Sequence, residues 1–212
     1  AIGGIHHAVD KEVKHMTTLE RNIPYVIGLT GNIATGKSTV LAYLAEKGAH
    51  VIDADKLAHK TLAPSGAAYE KVVSEFGSGI LDADGAIDRE ALGAIVFADP
   101  KALARLEAIV HPATFDLARW DMAQSQADVI ILEAIKLLES GHIISLCDTV
   151  WVVTSRPTTQ MKRLTELRGM TETDAHRRMS AQSSQAEKVA KADHVIENDA
   201  SREALFAQLD AL

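Results

Sequence analysis

The chain has 212 residues, of which 47% are hydrophobic and 24% charged, a composition ordinary for a soluble globular protein. Its net charge of −7 and pI near 5.7 argue against a dedicated nucleic-acid binder, which would carry a basic surface. A single cysteine, Cys147, and apolar runs shorter than a bilayer span favour a cytoplasmic protein with neither intrachain disulfides nor a membrane partner.

The first 22 residues differ from the rest of the chain. His6-His7 and His15-Met16 are typical of a vector-derived leader that precedes a natural start methionine. We expect residues 1–22 to form a leader, partly of such origin, and residues 23–212 to form a single domain. The alternative is a native, partly ordered N-terminal arm.

Residues 31–38 match the complete phosphate-binding pattern G-x-x-x-x-G-K-[ST]. The apolar run 25–29 before it predicts a strand, and residues 39–47 after it predict a helix. Glycine allows backbone N–H groups to surround a phosphate, and the helix adds its positive N-terminal end. Lys37 is expected to reach the terminal phosphates and Ser38 to bind Mg²⁺. A simple glycine turn is the alternative, but it leaves the register of Lys37 and Ser38 unexplained.

A second strand is predicted over residues 49–53, and Asp53 and Asp55 lie at its carboxyl end. Open α/β sheets bind their ligands at such ends. Two residues apart on an extended segment, the two carboxylates would share one face. A carboxylate there can orient an attacking hydroxyl and accept its proton during phosphoryl transfer. The alternative is that one or both aspartates only cap the following helix.

Helices are predicted through most of the next segment, 55–126. A short extended piece with a turn at Asp84-Gly85 interrupts them. Pro112 is expected to break the helical pattern after residue 110, because proline lacks the N–H that a helix interior needs. After the first helix, the predicted helices cover residues 67–76, 89–97, 100–110 and 113–126.

Three more strands, at 127–134, 147–153 and 194–196, complete the alternation of strands and helices. This order predicts an α/β fold, a five-stranded parallel sheet flanked by helices. Glu133 is the charge inside an apolar strand, so we expect it at the carboxyl end of the strand, facing the site and holding magnesium-bound water. The alternative is a structural pair with a buried Lys or Arg. Glu139 lies in the next turn, where it contacts substrate or faces solvent.

The segment between Arg156 and Lys191 is basic, with eight Lys or Arg against four Asp or Glu, a balance of +4. A basic helical segment suits a polyphosphate ligand, although a solvated helical face is the commoner origin of such a run. Arg163 and Arg168, close to Gly169, are the better candidates for contact with a transferring phosphoryl group. A final helix is predicted over 201–212.

Five segments in this order resemble the dephospho-CoA kinase family over nearly all of residues 23–212. The segments are residues 28–39, 51–55, 80–89, 111–112 and 192–198. Segment 28–39 is shared by many kinases, whereas segments 51–55 and 192–198 are much more specific in combination with it.

The resemblance implies ATP-dependent phosphorylation of the ribose 3′-hydroxyl of dephospho-CoA, the last step of coenzyme A synthesis. It implies a P-loop kinase core, a substrate-binding helical region over about 55–126 and a lid over about 156–190, in a protein that we expect to be monomeric. By this resemblance Asp55 activates the hydroxyl, with Lys37 and the lid residue Arg163 as further catalytic groups. ATP would be held by Gly31, Asn32, Ile33, Ala34, Thr35, Gly36, Lys37, Ser38 and Thr39. The substrate would be bound by Asp53, Asp55, Arg89, His111 and Glu139, and Mg²⁺ by Ser38 and Glu133.

The chain departs from the usual sequence pattern of the family in two places. Asn32, Ala34 and Thr35 stand where glycine, glycine and serine are common, and Ala34 permits close approach of a phosphate if its φ is negative. Ile135 stands where proline is usual. A kinase for another small hydroxyl or nucleoside monophosphate is the alternative enzyme, and a nucleotide-binding switch without transfer activity is the alternative of another class.

Overall fold

A computed structural model describes residues 23–139 and 141–212 and contains one sheet of five parallel strands, in the order β2-β3-β1-β4-β5. The predicted α/β architecture is therefore confirmed. The expected leader, 1–22, lies outside the described residues. In chain order the strands are β1 (Tyr25–Thr30), β2 (His50–Asp53), β3 (Val129–Glu133), β4 (Thr149–Thr154) and β5 (His194–Glu197).

Nine α-helices connect and flank these strands in the described part of the chain. No helix among them combines the length and the apolar character that crossing a bilayer requires. They are α1 (Lys37–Glu46), α2 (Ala54–Thr61), α3 (Tyr69–Phe76), α4 (Arg89–Ala98), α5 (Pro100–Gln124), α6 (Pro157–Lys162), α7 (Glu172–Ser180), α8 (Gln185–Val189) and α9 (Arg202–Asp210), with a π-helical turn at Arg163–Leu167 after α6.

The predicted break at Pro112 is wrong, because α5 runs through it as one helix of 25 residues. Proline removes one helical hydrogen bond and costs about 3 kcal/mol in a helix interior. Tertiary packing offsets this cost: Val110 belongs to the core of the helical region, and Ala118 is fully buried against the sheet. Both halves of α5 are thus fixed by packing on either side of the proline.

The central strands β1, β3 and β4 are buried on both faces, as expected of parallel strands that read as continuous apolar runs. One face packs Ile130, Leu132 and Val152 against α2 and α5. The other packs Leu29 and Ile131 against α1 and α9. The central strands are thereby fixed, and their carboxyl ends become a rigid edge on which side chains can be placed.

Helices α3, α4 and α5 enclose a third, separate cluster that includes Val72, Ile80 and Leu92. The predicted extended piece near Asp84 is a small antiparallel bridge between Leu81 and Ile87. The helical region therefore has apolar packing of its own beside the sheet edge. The proposed boundaries of this region and of the lid stay predictions.

Candidate nucleotide-binding and phosphoryl-transfer site

The phosphate-binding loop joins β1 to α1 through a left-handed backbone. Gly36, with φ of 98°, is the N-cap of α1, and a Cβ added there would lie 2.0 Å from Nδ2 of Asn198. Only glycine fits this position. Ala34 has φ of +60°, so the condition of a negative φ is not met. The loop turns through Ala34 at an energetic cost that L residues other than Gly, Asn and Asp seldom bear.

Lys37 lies within this loop, buried except for 14% of its side chain. Its Nζ donates a hydrogen bond to the Gly31 carbonyl at 2.7 Å and lies 3.9 Å from Oε1 of Glu133. Burial lowers the pKa of Lys37, and the nearby Glu133 opposes that shift. Burial raises the pKa of Glu133 in turn, with Lys37 opposing. The expected position of Glu133 at the end of its strand is confirmed, and it faces the loop lysine.

Three carboxylates meet at the ends of β2 and β3. Asp53 and Glu133 are register partners on adjacent strands, and Asp55 lies in the first turn of α2. One oxygen from each residue lies within 4.8 Å of the others. Asp53 is also the N-cap of α2, since it accepts the Lys56 N–H at 2.9 Å, and it pairs with the Lys56 ammonium at 3.0 Å. Helix capping therefore accounts for Asp53, whereas Asp55 is left directed at the cluster.

The far side of the loop is held by Arg163 and Asn198. The Arg163 guanidinium donates to the carbonyls of Ala34, Thr35 and Asn198 at 3.0, 3.2 and 2.7 Å, and to Oγ of Ser155 at 3.0 Å. The Asn198 side-chain amide donates to the Thr35 carbonyl at 2.8 Å. The guanidinium predicted to close over the triphosphate is thus occupied with the backbone of the loop.

The segment predicted to form the lid also contacts the loop. Oε1 of Gln182 accepts the Ile33 N–H at 2.7 Å, and the Ser183 carbonyl accepts from Nδ2 of Asn32 at 3.1 Å. From α6, the Gln160 amide donates to the Ile33 carbonyl at 2.7 Å. Both backbone groups of Ile33 and the side-chain NH₂ of Asn32 are therefore paired with this segment, whereas Oδ1 of Asn32 is buried without a hydrogen-bond partner among the described residues.

Two cavities lie on either side of the loop, and Arg168 lines both. The first, of about 330 Å³, is bounded by Gly36, Thr39 and the segment around Asn198. The second, of about 290 Å³, contains Lys37, Ser38, Asp53 and Glu133. Arg168 is exposed and borders both cavities, so among the arginines of the basic segment it is the one within reach of a polyphosphate that runs from one cavity to the other.

The structure does not bring Arg89, His111 and Glu139 to this cluster by any hydrogen bond or ion pair within the described residues. Arg89 is exposed at the start of α4, and His111 is half-buried in the middle of α5. Glu139 accepts a hydrogen bond from Oγ of Ser183 at 2.7 Å, which ties the turn after β3 to the lid. Their roles in substrate binding stay predictions.

Sequence reasoning missed three groups that shape the site: the side chains of Gln182 and Lys188 and the backbone of Ile135. The Lys188 ammonium donates to the Ile135 carbonyl at 3.0 Å, and the Ile135 N–H donates to Oδ2 of Asp55 at 3.3 Å. The hydrogen bonds of a backbone group cannot be inferred from the residue type, and the partner of a lone lysine or glutamine cannot be inferred from sequence spacing. Asn198 did carry a signal, since it ends the specific segment 192–198.

Comparisons with known proteins agree on one family. The family model described as dephospho-CoA kinase matches residues 25–204. The dephospho-CoA kinase of Streptomyces avermitilis is 45% identical over 84% of this chain and 87% of its own length. A crystal structure of the Thermus thermophilus protein TT1252 superposes with a TM-score of 0.75 at 32% identity, covering 89% of this chain and 95% of that one. Dephospho-CoA kinase from Campylobacter jejuni gives a TM-score of 0.63 at 29% identity, covering 88% and 94%.

Proposed function

This chain belongs to the dephospho-CoA kinase family, and on that premise we propose that the site at the carboxyl edge of its sheet transfers the γ-phosphoryl group of ATP to the ribose 3′-hydroxyl of dephospho-CoA. The single observation that carries the assignment of roles is the meeting of Asp55 with Glu133 beside the phosphate loop, where Glu133 lies 3.9 Å from Lys37. A phosphate-binding loop and a second carboxylate adjoin there, as a transfer between two substrates requires.

Asp55 is the group we assign to the acceptor. The 3′-oxygen attacks the γ-phosphorus, the bond from that phosphorus to the β–γ bridging oxygen breaks, and ADP leaves. Asp55 accepts the proton of the hydroxyl, which keeps the attacking oxygen oriented in line. Asp53 cannot do this as readily, because its two oxygens are engaged with the Lys56 backbone and ammonium.

The donor side is supplied by the loop. Its N–H groups and the N-terminus of α1 bind the phosphates, and Lys37 turns from the Gly31 carbonyl to the terminal phosphates of ATP. Arg168 closes over the same phosphates from the lid, between the two cavities that it borders. Arg163 acts as a positioning residue, since it holds the Ala34 and Thr35 carbonyls.

The oxygen donors of the cluster fit Mg²⁺, which prefers carboxylate and hydroxyl ligands. Ser38 lines the same cavity as Glu133, and burial raises the pKa of Glu133, so an adjacent cation would stabilise its ionised form. We assign the ion to Ser38 and Glu133. Bound there, Mg²⁺ would neutralise charge on the β- and γ-phosphate oxygens. We also expect a cytoplasmic monomer, since one chain supplies every group named here.

Replacement of Asp55 by asparagine tests the assignment. General-base catalysis contributes about 10²- to 10⁴-fold, so we expect D55N to lose turnover by that order while its affinity for ADP stays within about threefold. Turnover is followed as ADP release with dephospho-CoA, with AMP and without acceptor. The matched control is D99N, because Asp99 caps α5 by accepting the Lys101 N–H at 2.9 Å and asparagine caps equally well.

Two results would contradict the proposal. Wild-type turnover in D55N would remove Asp55 from the mechanism. ADP release by the wild type that does not depend on dephospho-CoA would remove the acceptor and leave a nucleotide hydrolase.

A further inference from the structure

We propose that Arg202 binds the base of the donor nucleotide by stacking on it, and that this chain therefore uses GTP as well as ATP as phosphoryl donor. The inference rests on the proposed transfer to dephospho-CoA and adds a second donor to it. With GTP the chemical step is the same. The 3′-oxygen attacks the γ-phosphorus, the bond from that phosphorus to the β–γ bridging oxygen breaks, GDP leaves, and Asp55 accepts the proton of the hydroxyl.

The position of the base follows from the position of the transferred phosphoryl group. That group belongs to the cavity of about 290 Å³ that contains Glu133. A polyphosphate on the loop extends away from this end, past Gly36, into the cavity of about 330 Å³ on the other side of the loop. The nucleoside therefore lies in this second cavity, where Asn198 and Arg202 line the wall beyond the loop.

Arg202, the first residue of α9, is supported by an aromatic stack. Its guanidinium carbon lies over the ring of Phe206, 5.0 Å from the ring centroid, and Phe206 stacks on Tyr43 of α1 with 4.0 Å between the ring centroids. The Tyr43 hydroxyl donates to Oδ1 of Asp210 at 2.6 Å, which fixes the stack at its far end. Because Arg202 is exposed, lines the cavity and is already held from one side, a base can stack on it with little further loss of side-chain freedom.

The two exposed arginines that line this cavity suit guanine as well as adenine. Selection of adenine needs an acceptor for its amino group, whereas guanine presents O6 and N7, two acceptors that one guanidinium can bind together. Arg168 and Arg202 carry donors only. The Arg163 guanidinium and the amide nitrogen of Asn198 are engaged with the backbone of the loop. Stacking itself tolerates any base, since every base has a π-face.

Donor use is tested directly with the full chain. Release of ADP and of GDP on addition of dephospho-CoA should give a kcat/KM for GTP within about tenfold of that for ATP, because stacking depends little on the identity of the base. A larger preference for ATP would overturn the inference and leave the proposed function intact. A wild type that releases neither ADP nor GDP on addition of dephospho-CoA would instead refute the proposed function, and the role of Arg202 would then be decided by the binding measurements on its variants.

Two variants of Arg202 separate stacking from charge. R202M removes the guanidinium, whereas R202K keeps the charge and loses the planar group. In calorimetry, both should bind ADP and GDP about tenfold more weakly than the wild type, with affinity for inorganic tripolyphosphate within about threefold. R119M is the matched control, because the exposed Arg119 guanidinium also lies over a phenylalanine ring, 5.9 Å from the centroid of Phe115, and should bind all three ligands as the wild type does.

Three binding results would contradict the role of Arg202. Wild-type affinity of R202K for ADP and GDP would show that charge alone is needed. A parallel loss of affinity for tripolyphosphate would assign Arg202 to the phosphates. A loss confined to ADP would mean that guanine does not reach this residue. Unchanged affinity of both variants for tripolyphosphate, which is the expected result, also shows that the loop is intact.

Discussion

Replacement of Arg163 by methionine tests whether this arginine holds the phosphate loop in place or contacts the transferring phosphoryl group. Its guanidinium makes four hydrogen bonds to the loop and its surroundings. At about 1.5 kcal/mol each, a simple sum would be about 6 kcal/mol. This sum is too large for two reasons. Nη1 has two hydrogens but serves three of the four acceptors. In the variant, the Thr35 carbonyl would still accept from the Asn198 amide, and the Asn198 carbonyl from the Ser155 hydroxyl. We therefore expect R163M to lower the free energy of unfolding by about half of it, ~3 kcal/mol.

The assay is urea unfolding, followed by tryptophan fluorescence. The change should come mainly from Trp151, which is 6% exposed in the native protein, because Trp120 is already 61% exposed. R168M is the matched comparison, since Arg168 is exposed and changes at such sites stay within about 0.5 kcal/mol. R168M should instead lower kcat, by up to ~10³ if its charge meets the transferring group. A free energy of unfolding of R163M within about 0.5 kcal/mol of the wild type, together with a loss of kcat on the scale expected for R168M, would refute the positioning role of Arg163.

Two further predictions concern the loop and the single cysteine. G36A should abolish ADP binding measured by calorimetry, because its Cβ would lie 2.0 Å from Nδ2 of Asn198. G48A, with nearly the same φ of +99° but open space around it, should cost only about 1 kcal/mol and keep activity; comparable ADP binding in both variants would contradict the steric argument. Burial raises the pKa of the Cys147 thiol to about 12, so a disulfide reagent at pH 8 should label native protein roughly 10³-fold more slowly than urea-unfolded protein. Because the thiol loses its proton at a higher pH in the folded state than in the unfolded state, the free energy of unfolding should fall as pH rises above 9. Rapid labelling of the native protein would disprove the effect of burial on the thiol.

The donor half of the site could be predicted from sequence because its determinants are local. The phosphate loop fits within eight residues, and the ends of β1, β2 and β3 come together in any parallel sheet of this order. Glu133 could be placed at the edge because an apolar strand excludes a charge elsewhere. The prediction for Pro112 failed for the opposite reason, since packing on both sides of α5 outweighed a local propensity.

The remaining contacts could not be predicted because they join residues far apart in the chain. Lys188 and Ile135 are 53 positions apart, and Gln182 and Ile33 are 149 apart. Periodicity identifies the face of a helix but does not indicate which carbonyl a lysine will reach. The backbone conformation of Ala34 could not be predicted from the sequence for the same reason. Its positive φ is maintained by the bonds that Arg163 makes to the carbonyls of Ala34 and Thr35, and these belong to the tertiary structure.

These long-range contacts couple the segment predicted to form the lid to the phosphate loop. The left-handed conformation of Ala34 strains the loop, which needs external partners to keep one conformation. The partners come from the basic segment and from the residue after β5: Gln182 on the Ile33 N–H, Arg163 on two loop carbonyls and Asn198 on one of them. The conformation of the loop is therefore set by side chains that lie far from it in the chain, and the Ile33 N–H at its edge stays engaged as long as Gln182 keeps this contact.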